Sequence, residues 1–215
     1  IGAVSHSDSR FAPAKALSID EIRRTLTLLL RSYINTMDIL EIETWIAHGT
    51  LLGWYWGRKI FPWDTDIDVQ VSAETLVSLA NYNMTRFGFE GEEYLLDVNP
   101  YFLFISTDDM ANKIDARWID VRSGKYIDIT AVHRHPISNI LFCKDGHRYT
   151  DREIYPLQMS DFEGINIKIP SETETILSEE YKKKALANKN HHWYNFVDKS
   201  QSWEPEGRRN SWWIW

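Results

Sequence analysis

The run Asp66-Ile67-Asp68-Val69-Gln70-Val71 alternates polar and apolar residues without a break, and it constrains the fold more than any other stretch of the chain. In an extended strand, side chains two apart share a face, with Cα atoms roughly 6.5 Å apart. Asp66 and Asp68, with Asp64 just before them, therefore project together, while Ile67, Val69 and Val71 fill the opposite face. Core packing has no use for a line of carboxylates. It costs solvation and self-repulsion unless a cation or a substrate proton compensates it. Oxygen ligands of this kind suit Mg²⁺ or Mn²⁺. The plainer alternative is that Asp64 caps the turn after Pro62-Trp63 and that Asp66 and Asp68 line a solvated edge.

The segment upstream favours the first reading. His48-Gly49-Thr50-Leu51-Leu52-Gly53 reads as a short strand over residues 43–47 that passes through a Gly-Thr turn into a helix over residues 51–56. Backbone N–H groups opening a helix at such a turn make a phosphate cradle. Gly49 and Thr50 are the candidate phosphate contacts. His48 either orients the turn or touches phosphate itself. Gly57-Arg58-Lys59 is a basic interruption before the acidic strand, and two readings stay open for Arg58, a phosphate contact or a solvated loop.

At 215 residues the chain is long enough for one well-buried domain. Its formal charge of −7 and the absence of any Lys/Arg-rich run argue against a nucleic-acid partner. No apolar stretch reaches the length of about 18 residues that spans a bilayer. The chain begins at Ile1 rather than Met, which leaves open whether a signal or anchor precedes it. The lone Cys143 excludes an internal disulfide. Asn83-Met84-Thr85 is a glycosylation sequon. Among the ten tryptophans, Trp45 and Trp118 lie in apolar runs and read as core, whereas Trp54, Trp56 and Trp63 flank the acidic segment and could stack on a sugar or base.

Residues 1–17 read as a flexible lead-in, residues 18–200 as the folded domain and residues 201–215 as a Trp-rich tail. Ser18 and Glu21 form a capping box that opens a helix whose apolar stripe is Ile22, Leu26, Leu29, Leu30, Tyr33 and Ile34. A helix is expected over residues 73–83, and strands over 101–106 and 114–121. A turn at Ser123-Gly124 then returns the chain through a strand over 125–132, as an antiparallel hairpin. That hairpin places Asp128 in a central strand, either paired with a neighbour such as Arg117 or set beside the acidic strand as a third carboxylate. Beyond Arg134 the chain is loop-rich. His133, His135, Cys143 and His147 lack the spacing of a zinc motif, so zinc is not the default. Residues 171–187 read as a surface helix, with Lys182, Lys183 and Lys184 complementing its dipole.

These residues also carry a family resemblance. His48-Gly49-Thr50-Leu51-Leu52-Gly53-Trp54, Phe61-Pro62-Trp63-Asp64-Thr65-Asp66-Ile67-Asp68 and Gly124-Lys125-Tyr126-Ile127-Asp128-Ile129-Thr130 resemble the LicD family, whose relatives include fukutin and the fukutin-related protein. Ile114-Asp115-Ala116-Arg117-Trp118-Ile119-Asp120, Phe162-Glu163-Gly164 and Ile169-Pro170 extend the likeness to its fungal branch, the proteins of cell-wall mannosylphosphate transfer. The resemblance implies an α+β (α/β) fold, a nucleotidyltransferase-like mixed sheet with helices packed mainly on one face. It implies that Asp66, Asp68 and Asp128 hold Mg²⁺ or Mn²⁺, with Asp128 alternatively the base, and that Asp64 is auxiliary. His48, Gly49, Thr50, Arg58 and Arg117 would contact phosphate or nucleotide. The implied partners are a nucleotide-diphosphate donor, GDP-mannose for the fungal branch or CDP-choline for the bacterial one, and a glycan acceptor in the Golgi lumen. A non-catalytic regulator or glycan-binding subunit of a mannosylphosphate transferase complex is the alternative function.

Overall fold

The structure is a computed structural model that describes residues 6–106 and 108–207. Its first half runs α1 (Ile19–Ile39), β1 (Trp45–Ile46), α2 (His48–Gly57), β2 (Ile67–Ser72), α3 (Ala73–Leu79), β3 (Arg86–Phe89) and β4 (Glu92–Val98). There follow β5 (Ala116–Asp120), β6 (Tyr126–Arg134), β7 (Ile140–Phe142), β8 (Arg148–Thr150), α4 (Asp151–Ile154), β9 (Gln158–Phe162) and β10 (Ile165–Ile169). The chain ends in α5 (Thr173–Ala185), β11 (Asn190–His191), β12 (Tyr194–Val197) and β13 (Ser202–Pro205).

The main sheet has the order β1-β2-β6-β5-β4-β3, with β7 and β8 extending from β6. It is mixed, because β2 and β6 run parallel while their outer neighbours are antiparallel. Ile67, Val69 and Val71 of β2 join Ile127, Ile129 and Ala131 of β6 in one core with Leu26, Leu29 and Leu30 of α1 and Leu76 and Leu79 of α3. The three β2 residues are fully buried, each contributing roughly 1.5–3 kcal/mol. A one-residue slip would exchange them for Asp66, Asp68 and Gln70, so the register is firmly set. The α+β mixed sheet with α1 and α3 on one face is the expected architecture.

The α1 capping box forms as expected, with Ser18 accepting from the Glu21 N–H. The hairpin around Gly124, whose φ is +71°, pairs β5 with β6. Three expectations need correction. The strand expected over residues 101–106 is a turn-rich loop, in which the Asn99 carbonyl accepts from Phe102 and the Tyr101 carbonyl from Phe104. Its apolar side chains point outward, Leu103 and Phe104 being 70% and 63% exposed. The strands in this region are instead β3 and β4, joined by Glu90 and Gly91 at φ +50° and +83°, a two-residue hairpin turn of the favoured hand. The expected helix over 73–83 stops at Leu79 and continues as a 3₁₀ turn over Ala80–Tyr82.

The described parts of both terminal segments pack on the body of the domain. Residue 8, within the expected lead-in, is buried: the Asp8 N–H donates to the Gly124 carbonyl at 2.7 Å and its carboxylate meets Arg10 at 2.8 Å. In the tail, β13 pairs with β12 and sets Trp203 against Trp56 and Phe61, while Trp212, Trp213 and Trp215 lie outside the described residues.

Candidate active site on the carboxylate face

The face of the sheet opposite α1 carries the charges. Asp68 of β2 and Asp128 of β6 are register partners across the parallel pair, and Asp128 is in turn the partner of Arg117 on β5. Asp128 is therefore both opposite Arg117 and beside the acidic strand. Arg117 Nε donates to Asp128 Oδ1 at 2.7 Å, and the guanidinium carbon sits 4.0 Å from the centre of the Tyr126 ring. Asp64 and Asp66 lie in the segment leading into β2.

Helix α2 begins at His48, so Gly49 and Thr50 occupy its first turn rather than a separate loop. Two bonds fasten this turn to β2: the Ala47 N–H donates to the Asp68 carbonyl at 3.0 Å, and Thr50 Oγ1 accepts from the Asp68 N–H at 2.9 Å. Ala47 offers no side-chain cap, which leaves the uncapped helix end for an anion. Gly49 faces the carboxylates directly. A Cβ there would lie 3.8 Å from both Asp64 Oδ2 and Asp68 Oδ2 and 4.0 Å from the Tyr181 hydroxyl.

Burial, then repulsion from Asp66 and Asp68, pushes Asp64 up to about 8. Burial lifts Asp68 to about 7 against the pull of His48, with Asp66 and Asp128 adding to the rise. Asp128 is also raised, chiefly by burial, although Arg117 opposes the shift. His48 is the counterpart: burial disfavours its charge, but Glu180 and then Asp68 and Asp145 outweigh burial and hold it at about 9. Outside this group, His6 Nδ1 rests 3.0 Å from Asp66 Oδ2. The four aspartates thus form a charge-deficient pocket, chemically matched to a cation and to the phosphate groups that a cation carries.

Not every predicted residue reaches this pocket. Asp64, Asp66, Asp68, Asp128, Gly49 and Arg117 converge. Thr50 is buried, and its hydroxyl is engaged with the Asp68 backbone. His48 turns its Nδ1 to Glu180 at 3.2 Å. Arg58 sits at the far end of α2, where it closes the helix with φ +56° and packs 5.6 Å over Trp54. The sequence placed it nearby because the helix was expected to be shorter. Trp54 likewise faces Ser160, bonding its Oγ at 2.8 Å.

A cleft of about 500 Å³ opens beside Gly49 and Asp64, walled by Trp56, Trp63, Tyr181, Lys184 and Trp203 among others. Trp63 stacks on Phe61 with 4.7 Å between ring centres. Tyr181 and Lys184 were not singled out as site residues in the sequence. A signal existed, since Glu180 follows the buried Ile176 and Leu177 at helical spacing and so places a charge on the inward stripe of α5.

Residues 41–172 match the family described as LicD/FKTN/FKRP, nucleotidyltransferase domain. The chain belongs to this family. All four aspartates, Gly49 and Arg117 fall inside the LicD-family span, whereas Glu180, Tyr181 and Lys184 lie beyond it. Two curated relatives come from Saccharomyces cerevisiae. "Mannosyltransferase regulator 4" is 34% identical over 59% of this chain and 11% of its own length. "Mannosyltransferase regulator 14" is 34% identical over 52% of this chain and 12% of its own. The matched stretch is thus about a tenth of either relative, and the expected kinship with the fungal branch of the LicD family holds. A solved structure of the lincosamide antibiotic adenylyltransferase LnuA with lincomycin bound aligns at 13% identity and TM-score 0.38, covering 74% of this chain and 94% of that one. Among the described residues, no helix is long and apolar enough to cross a membrane.

Proposed function

We propose that this domain moves a phospho-sugar, mannose-1-phosphate from GDP-mannose, onto a hydroxyl of a protein-linked or cell-wall glycan in the Golgi lumen, releasing a nucleoside monophosphate. The observation that carries the proposal is the side-by-side placement of Asp68 and Asp128, with the backbone of Gly49 close against Asp64 and Asp68 and no side chain between them. An all-carboxylate set in which Asp64 and Asp68 are lifted by burial and by repulsion from their neighbours fits Mg²⁺ or Mn²⁺. Asp66, Asp68 and Asp128 would hold the ion, which when bound supplies charge neutralisation at the diphosphate.

The protein's own groups do the rest. The first turn of α2 offers backbone N–H groups to phosphate oxygens, and Gly49 lets phosphate approach without a side chain in the way. Arg117 holds Asp128 in place through Oδ1. Asp64 also borders the aromatic cleft, where Trp63 and its neighbours offer stacking surfaces to a sugar. With a cation bound, the repulsion from Asp66 and Asp68 that favours the protonated Asp64 is relieved. An acceptor hydroxyl bound in the cleft then gives its proton to the Asp64 carboxylate as its oxygen bonds to the sugar-bearing phosphorus. The bond from that phosphorus to the bridging oxygen breaks, and the nucleoside monophosphate leaves with that oxygen.

The test is product analysis. With Mn²⁺, GDP-mannose and a mannan acceptor, the protein should release GMP. Release of GDP would mean ordinary glycosyl transfer and overturn the mechanism, and equal turnover of CDP-choline would move the assignment to phosphocholine transfer. One observation favours a second reading: both yeast relatives are named regulators. If this domain is a non-catalytic regulator, no nucleotide should be turned over and none should bind with metal.

A further inference from the structure

We infer that His48, His147 and Glu180 form a second metal centre, distinct from the aspartates, that takes Zn²⁺ or a cation of its class. His48 opens α2, His147 lies between β7 and β8, and Glu180 belongs to α5, yet one ligand atom from each lies within 4.8 Å of the others. His48 Nδ1 is 3.2 Å from Glu180 Oε2, and His147 Nδ1 is 3.5 Å from Glu180 Oε1. In a tetrahedral site with bonds of roughly 2.0–2.1 Å, ligand atoms stand about 3.3–3.4 Å apart. The two observed separations, each to a different oxygen of Glu180, are close to that edge.

The surroundings complete the pattern. The imidazoles lie with centroids 4.7 Å apart and planes tilted by 34°, both presenting Nδ1 to Glu180. Their Nε2 atoms face Asp145, at 3.4 Å from His48 and 4.0 Å from His147. A carboxylate that accepts from the far N–H of a ligating imidazole fixes its tautomer and raises its basicity. The Tyr149 hydroxyl donates to Glu180 Oε1 at 3.1 Å and orients it. Gln70 Nε2 stands 3.2 Å from Tyr149 Oη and Cys143 Sγ and 3.3 Å from His48 Nε2. With His48 ligating through Nδ1, the two amide hydrogens go to the hydroxyl and the thiol, and His48 Nε2–H turns to Asp145.

Charge and ligand type choose the ion. Once both imidazoles give up their protons to ligate, Glu180 and Asp145 bring two negative charges that a divalent cation balances. Two ring nitrogens and a carboxylate oxygen suit Zn²⁺, whereas Mg²⁺ favours oxygen alone. The ligands come from three separate elements, which is why no zinc spacing is visible in the sequence. A metal here would tie the start of α2 to α5 and hold Tyr181 over Gly49. The inference does not depend on the transfer reaction.

Titration of metal-free protein with Co²⁺ tests it directly, because tetrahedral Co²⁺ with nitrogen ligands absorbs strongly in the visible. The Asp66→Asn/Asp68→Asn background removes the other cation site. We expect a single equivalent to bind with tetrahedral bands, and Zn²⁺ to displace it. His147→Ala, at the most exposed of the three ligands, and Glu180→Gln should each weaken binding at least tenfold. Absence of tetrahedral bands and of Zn²⁺ uptake in this background would overturn the proposal, leaving a His48–Glu180 ion pair. Unchanged affinity in a folded His147→Ala protein would overturn it equally, and the parent titration decides the question if a variant fails to fold.

Discussion

Arg117 and Asp128 should be unequal partners when each is removed. Both are nearly buried, with side-chain exposures of 9% and 12%, so a simple ion-pair view makes either deletion expensive. The rise in the Asp128 pKa says otherwise. Burial with the nearby Asp66 outweighs the attraction of Arg117, so the metal-free fold holds the charge at this position at a cost. Asp128→Asn removes that charge and keeps an acceptor for Arg117 Nε. Its stability should stay within about 1 kcal/mol of the parent, roughly 2–4 °C for a domain of this size. Arg117→Met strips the counter-charge from the aspartates and the packing over Tyr126. It should cost about 3 kcal/mol, or roughly 6–12 °C. Thermal unfolding in chelator reads both, and transfer activity of Asp128→Asn should fall on the order of a hundredfold or more. An Asp128→Asn protein that melts as early as Arg117→Met would refute the reasoning.

Two further outcomes are expected. Asp64 and Asp68 titrate at about 8 and about 7 against an ordinary 3.8, and His48 at about 9 against 6.5. All three are raised, so the stability they lend is complete below the ordinary carboxyl value and is lost as pH climbs from there through the folded values; metal-free protein should melt progressively earlier from about pH 4 to about pH 9. A later melt at high pH would contradict this. Gly49→Ala meets its new neighbours at 3.8 Å, ordinary contact distance, and Ala is the better helix former by about 1 kcal/mol. Its melting temperature should hold or rise while transfer drops more than tenfold, and full activity would place phosphate away from Gly49.

Most of the sheet was legible because its signals are local. Alternation in Asp66–Val71 and around Asp128 assigns faces without knowledge of the partner strand, and Gly124 marks the turn that brings Arg117 opposite Asp128. β3 and β4 escaped notice because Glu92 and Glu93 dilute the apolar run, while the exposed Tyr101–Ile105 loop imitates a strand in composition. Arg58 and Trp54 were misplaced by the start of α2: a helix that begins at His48 carries them to its distant end. Glu180 is flagged by its spacing from Ile176 and Leu177, whereas Asp145 and His147 meet the site only through tertiary packing, which no local periodicity reports.

The central claim is that Asp66 and Asp68 help to form one cation site that also receives a nucleotide donor. Calorimetric titration with Mn²⁺, with and without GDP-mannose, addresses it for the parent and for Asp66→Asn/Asp68→Asn, in protein whose His48–His147–Glu180 cluster has been filled with Zn²⁺ beforehand. The parent should bind Mn²⁺ and the donor together, each strengthening the other, and the double variant should lose both heats while remaining at least as stable in chelator. Undiminished Mn²⁺ and donor binding in the double variant would place the cation elsewhere and contradict the account.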